Sequence, residues 1–89
     1  MSVKNSSNNS EILEKVLYFV GRQFEKDVKS DDLEKKLEYF SSEYLDKIEI
    51  VMRLEDEFSV QISDDEVDGI VYVDDFVKII GAKRSDVAG

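Results

Sequence analysis

"SSEYLDKIEIVMRLEDEF", residues 41–58, is the stretch whose reading decides the fold. At about 100° per residue, Ile50, Val51, Leu54 and Phe58 fall on one contiguous stripe, which predicts an amphipathic helix from near Ser42 to near Phe58. The stripe is assigned to a core. Leu45, Ile48 and Met52 continue the apolar sector around the cylinder, past Tyr44 at the helix entrance. Asp46, Glu49 and Asp56 line their outer edge, and Glu55 lies inside the sector. One buried face does not require so many apolar positions. A small bundle burying more than half of its central helix is the plain account, above all for Ile48. The sharper account is an apolar strip fringed by carboxylates, on which a helix of a basic partner docks. Met52 suits such a surface, because a thioether adapts to the shape of a partner.

Outward from this helix, Ile12, Val16, Val20 and Phe24 recur every fourth residue, flanked by Leu13, Leu17 and Phe19. They predict a first helix capped by Ser10 and ending near Glu25. Residues 26–42 form a connection longer than the median of about 4–6 residues, with Val28 and Leu33 as expected anchors and a turn of helix within "LEKKLEYF". Ser63 and Glu66 have the spacing of a capping box, which opens a short third helix interrupted at Gly69. Val73, Phe76, Val77 and Ile80 predict a fourth helix that stops at Gly81. The expectation is an all-α bundle of three main helices and one short one over residues 10–81. Residues 1–9 read as a disordered arm and residues 82–89 as a flexible tail.

Composition limits what such a bundle does. The chain has 89 residues, enough for a single domain, and 42% hydrophobic residues, enough for one core. Its formal charge of −9 opposes binding to nucleic acid and to anionic lipid, and favours basic protein partners. No run approaches the roughly 20 apolar residues of a membrane span. Cysteine and histidine are both absent, which removes thiol nucleophiles, imidazole bases and the usual zinc ligands. Carboxylate pairs such as Asp64 and Asp65 read as solvated surface, so no catalysis is expected. "DDEVDGIVYVDD" has a partial calcium-loop pattern, with Asp64, Glu66 and Asp68 at its first, third and fifth positions, Gly69 at the sixth and Asp75 at the twelfth. The twelfth position calls for a bidentate glutamate, and an aspartate is one methylene short. An EF-hand is therefore a minor alternative, and no metal site is expected.

"YLDKIEIVMRLEDEFSVQISDDEVDGIVYVDDFVKII" closely resembles the second half of an acyl carrier protein. That family's signature is Asp-Ser-Leu followed by an acidic helix of the form D-x-V-E-L-V-M-x-L-E-E-E-F, which "LDKIEIVMRLEDEF" matches almost position by position. "EKVLYFVGRQF" resembles the family's first helix, and the likeness extends over residues 12–80. It implies a four-helix bundle carrying acyl chains as thioesters on a 4′-phosphopantetheine arm. The arm is attached to the serine of Asp-Ser-Leu, and here those three positions read Glu43-Tyr44-Leu45.

A phenol stands several bonds farther from the backbone than a serine hydroxyl, a large displacement for a transferase that positions a short hydroxyl. No arm is therefore expected. Ser42 is the fallback attachment residue, although it sits two residues early and is expected to cap the helix. Lys47 also departs from the family, which usually keeps a small or neutral residue there, near the acyl cavity. The partner-recognition positions, by contrast, hold Asp46, Glu49, Met52, Glu55 and Asp56. The resemblance thus implies a carrier fold kept for docking, with Tyr44, Leu45 and Ile48 completing the face.

Acyl carrier proteins of mitochondria also bind small helical adaptors with a Leu-Tyr-Arg motif, including one on the cysteine desulfurase of iron–sulfur cluster assembly. A basic adaptor of that type is the expected partner, with Tyr44 as a short fixed substitute for the acyl chain. The free protein is expected to be a monomer. "MSVKNSSNNS" has neither transit-peptide nor signal-peptide character. A processed or truncated form in the mitochondrial matrix is the expected setting, and the cytoplasm is the alternative. A conventional carrier of fatty acid synthesis, modified at a nearby serine, is the chief alternative function.

Overall fold

The computed structural model describes residues 3–88, with side chains over residues 10–84. Three long helices, α1 (Val3–Phe24), α3 (Tyr44–Phe58) and α5 (Val73–Ala88), pack around one core. A 3-10 turn (Ser30–Glu34) and the single-turn α2 (Leu37–Phe40) lie in the long connection, and the short α4 (Asp64–Asp68) precedes α5. The described residues form no strand, only an isolated bridge between Lys36 and Tyr72. The all-α bundle read from periodicity is the observed fold.

The core is the set of side chains that the helical spacing selected. Val16 and Val20 from α1, Ile50 and Leu54 from α3, and Phe76 and Ile80 from α5 are fully buried, and Phe58 is buried at 6% exposure. Each such side chain contributes about 1.5–3 kcal/mol relative to an exposed one. The long connection adds Val28 and Leu37 to this core, and Leu33 packs against its edge. Phe24 and Phe40 stack with ring centroids 5.3 Å apart, joining the end of α1 to α2. The bridge then ties the connection to the start of α5, through Leu37 N–H to the Val71 carbonyl (2.8 Å) and Val73 N–H to the Lys35 carbonyl (3.0 Å).

Helix boundaries differ from the sequence reading in three places. Helix α1 begins at Val3, so Ser10 lies inside it rather than capping it, and positions 3–9 of the expected arm have helical backbone. Residues 1 and 2 of that arm, and residue 89 of the expected tail, lie outside the described residues. Helix α5 continues through Gly81 to Ala88, so residues 82–88 extend the helix that was expected to stop. A glycine in a helix interior costs about 1 kcal/mol but does not break the hydrogen-bond ladder. Helix α3 starts at Tyr44 with Glu43 as its cap residue, not Ser42.

The ends of α1 and α3 share a device that periodicity does not reveal. Glu25 and Ser59, one residue past each helix, take left-handed backbone with φ of 56° and 55°. Each turns the chain out of its helix, the function a glycine usually serves. At the first of these ends Lys26 N–H reaches back to the Gly21 carbonyl (3.0 Å). A β-carbon at Gly21 would stand 2.8 Å from the Lys26 carbonyl oxygen, so this approach requires glycine.

Candidate functional site: the entrance and outer face of helix α3

The chain enters α3 through "SSEY", where the local hydrogen bonds fall to Ser41. Its hydroxyl donates to Asp46 Oδ2 (2.6 Å) and accepts from the Glu43 N–H (3.1 Å). Ser42, expected as the cap, is exposed one residue before Glu43. Tyr44 therefore holds the first helical position, and its side chain is 56% exposed.

Asp46 is half-buried and doubly held. Besides Ser41, the side-chain amide of Gln23 on α1 donates to its Oδ1 (2.8 Å). The bonds from Ser41 and then Gln23 hold the Asp46 carboxyl below the usual range, against a smaller opposing effect of desolvation. The same amide nitrogen donates to Glu49 Oε1 (2.7 Å). One neutral side chain from a neighbouring helix thus spaces two carboxylates on successive turns of α3.

The structure divides the expected docking residues into two groups. Leu45 and Met52 are the outward ones, 68% and 57% exposed, and Glu49 and Asp56 are exposed beside them. Ile48 is half-buried and packs against the core edge, as the plain account held. Glu55 is also half-buried, and its Oε2 accepts the Ile62 N–H (2.7 Å), fixing the turn after α3. Arg53, which the sequence reading passed over, is exposed one turn from Glu49 and from Asp56. The face is therefore apolar with mixed charges rather than uniformly acidic.

Lys47 resolves its awkward position by reaching across the bundle. Its ammonium donates to the Ile70 carbonyl (2.8 Å) and lies 5.5 Å from the centroid of the Tyr44 ring. The stem stays half-buried while the charge finds an oxygen, which avoids the cost of an unpaired buried ammonium. Beside it opens a cleft of about 280 Å³ between α2, the start of α3 and residues 68–71. Neither Gln23 nor this cleft carries a signal in the sequence, because both depend on which helix end meets which loop.

The calcium-loop reading is corrected. Asp64–Asp68 is helix α4, not a loop, and Glu66 closes a capping box with Ser63. The Lys83 ammonium also binds Glu66 Oε1 (2.8 Å). Asp75 Oδ2 accepts the N–H groups of Val71 and Tyr72 (2.8 and 2.9 Å), so it caps α5. Among the described residues, no three acidic side chains are grouped to hold a metal ion. No helix of the described residues is long and apolar enough to cross a membrane.

The fold and this site define a small acidic helical bundle that presents the entrance and one side of its central helix. No family model matches the chain. It is 38% identical over 80 residues to an acyl carrier protein of Prochlorococcus marinus (strain MIT 9515), covering 86% of this chain and 98% of that protein. An acyl carrier protein of Thermosynechococcus vestitus is also 38% identical, over 77 residues, covering 85% and 95%. The crystal structure of an acyl carrier protein from Thermotoga maritima superposes with a TM-score of 0.75 at 26% identity, over 89% of this chain and 93% of that one. The chain belongs to the acyl carrier protein family.

The first helical position of α3 offers a phenol, and the Ser41 hydroxyl is already bonded to Asp46 and Glu43. Ser42 is the nearby exposed alcohol, on the other side of the cap residue.

Proposed function

We propose that this chain is an acyl carrier protein fold used for docking, without a 4′-phosphopantetheine arm and without catalytic activity of its own. The observation that carries this reading is Tyr44 at the first position of α3, with Leu45 and Met52 exposed on the same helix. A fold that keeps the outward apolar residues while replacing the attachment serine retains the means to bind a partner, not the means to carry a thioester. The partner is a basic helical adaptor of Leu-Tyr-Arg type, such as the one that serves cysteine desulfurase in iron–sulfur cluster assembly. The mitochondrial matrix is the corresponding setting, and the free protein is a monomer. Apolar contacts supply affinity, while Glu49 and Asp56 supply rate and selectivity.

Incubation with coenzyme A and a phosphopantetheinyl transferase, followed by mass spectrometry, tests the missing arm. The parent stays unmodified and Tyr44→Ser gains the arm's mass, whereas an adduct on the parent defeats the reading. A second reading is a conventional carrier of fatty acid synthesis modified at Ser42. It is favoured by the relatives, which are named as acyl carrier proteins, and by the exposure of Ser42. Loss of a parent adduct on Ser42→Ala would establish it.

A further inference from the structure

The chain has three arginines, and two of them are engaged within the bundle. The Arg22 guanidinium lies 5.8 Å from the centroid of the Tyr18 ring, and Arg84 donates to the Phe58 carbonyl (3.2 Å). Arg53, on the outer side of α3, is exposed, and among the described residues no ion pair includes it. Its own helix offers Glu49 four residues before it and Glu57 four residues after it, the separation at which opposite charges on a helix pair. Helix α1 takes both carboxylates. The Gln23 amide donates to Glu49 Oε1 (2.7 Å), and the Lys15 ammonium pairs with Glu57 Oε2 (3.1 Å). Arg53 is left exposed between these two ties.

Position around the helix decides what its guanidinium meets. At about 100° per residue, Leu45 and Met52 share the centre of the outer face, with Asp56 and Glu49 beside them. Arg53 stands about 80° round from Leu45, on the border nearest α1. A partner helix laid along Leu45 and Met52 is about 10–12 Å across with its side chains, so the residues flanking its apolar stripe come within reach of Arg53. A cation at that point meets like charge. A carboxylate accepts two parallel N–H bonds from the planar guanidinium. The face therefore selects against a partner that is basic along both borders.

We infer that Arg53 is a specificity-determining residue of this face, and that the partner helix carries a carboxylate on its α1-side border, beside an apolar stripe that covers Leu45 and Met52. The inference rests on the docking reading and refines the partner's chemistry. That partner is basic overall, against the net charge of −9, but acidic at this border.

The probes are synthetic amphipathic helical peptides with one apolar stripe and otherwise basic flanks. A single glutamate is walked through successive turns of one border, and each peptide has an isosteric glutamine twin. Calorimetry on the whole chain uses about 0.15 M salt, where a Debye length of about 8 Å screens distant charges and leaves the close pair. One glutamate peptide binds roughly three- to tenfold tighter than its twin, between the range of an exposed ion pair and that of a desolvated, charge-assisted one. A net charge of −9 acting alone would give the opposite order. Arg53→Gln brings the ratio to one or below and Arg53→Glu inverts it, as a thermodynamic cycle requires. The position is exposed, and circular dichroism checks that both variants are folded. Binding with no glutamate preference at any turn, or a preference that survives Arg53→Gln, overturns the role of Arg53 and leaves the docking reading standing. Binding of no peptide overturns both. Self-association in sedimentation that Arg53→Glu abolishes would assign the guanidinium to a carboxylate of a second copy, which also overturns the inference.

Discussion

The side-chain amide of Gln23 on α1 donates a 2.8 Å hydrogen bond to Asp46 on α3, and the same nitrogen reaches Glu49 one turn later. Two carboxylates that the sequence offers as free docking charges are thereby positioned from a second helix. Gln23→Ala removes the bridge and leaves the carboxylates to repel each other across one turn. Its urea midpoint falls with an unchanged slope, because the folded structure loses a tie and not its compactness. Gln23→Glu places a third carboxylate at the same point and lowers the midpoint further.

Asp46 makes stability depend on pH in a defined direction. Its folded-state pKa lies below the unfolded value of about 3.9, so its contribution is fully present above that value. The contribution is lost as pH falls through the depressed folded value. The stability difference between the parent and Asp46→Asn is therefore constant from neutral pH to about 5, and closes under more acid conditions. Glu66, held low first by Lys83 and then by the Ser63 N–H, gives the same sign with Glu66→Gln. Denaturation curves across this range check both.

Ser59 holds left-handed backbone at the end of α3 with φ of 55°. Glycine takes that conformation without the steric penalty of a β-carbon, so Ser59→Gly stabilises the protein by about 0.5–1 kcal/mol. Thermal unfolding followed by circular dichroism should show a higher Tm. An unchanged or lower Tm would mean that the loss of unfolded-state restriction outweighs the relief of strain.

Lys47 ties α3 to the segment before α5 through the Ile70 carbonyl. Lys47→Ala loses that bond and the packing of the stem, with an expected cost of about 1 kcal/mol. Hydrogen exchange at Val71 and Tyr72 quickens more than exchange in the core of α1. Equal quickening everywhere would show that the bond supports the whole fold and not this corner.

The proposed docking role predicts a division between affinity and rate. Glu49→Lys with Asp56→Lys slows association with a basic helical adaptor and leaves the domain folded, since both residues are exposed. Added salt slows the parent in the same way. Tyr44→Ala costs about 2 kcal/mol or more if its ring is a buried anchor in the complex, and Tyr44→Phe costs little. Calorimetry showing parent-like affinity for Tyr44→Ala would remove the tyrosine from the interface.

The sequence by itself determined the helical class, the central helix and the core. Val16, Val20, Ile50, Leu54, Phe76 and Ile80 repeat with helical spacing, and periodicity is a local property that needs no knowledge of the partner helix. The Ser63–Glu66 capping box was legible for the same reason, since its two residues lie one turn apart. Helix ends were less so: Gly81 signals a stop, yet a helix with no competing cap continues through it. Only the tertiary structure decided which acids on α3 are committed. Asp46 and Glu49 meet Gln23 from 23 and 26 residues away, and Lys47 finds the Ile70 carbonyl 23 residues on. Such contacts arise from how α1 and the α4–α5 link cross α3, and no spacing along the chain encodes that crossing.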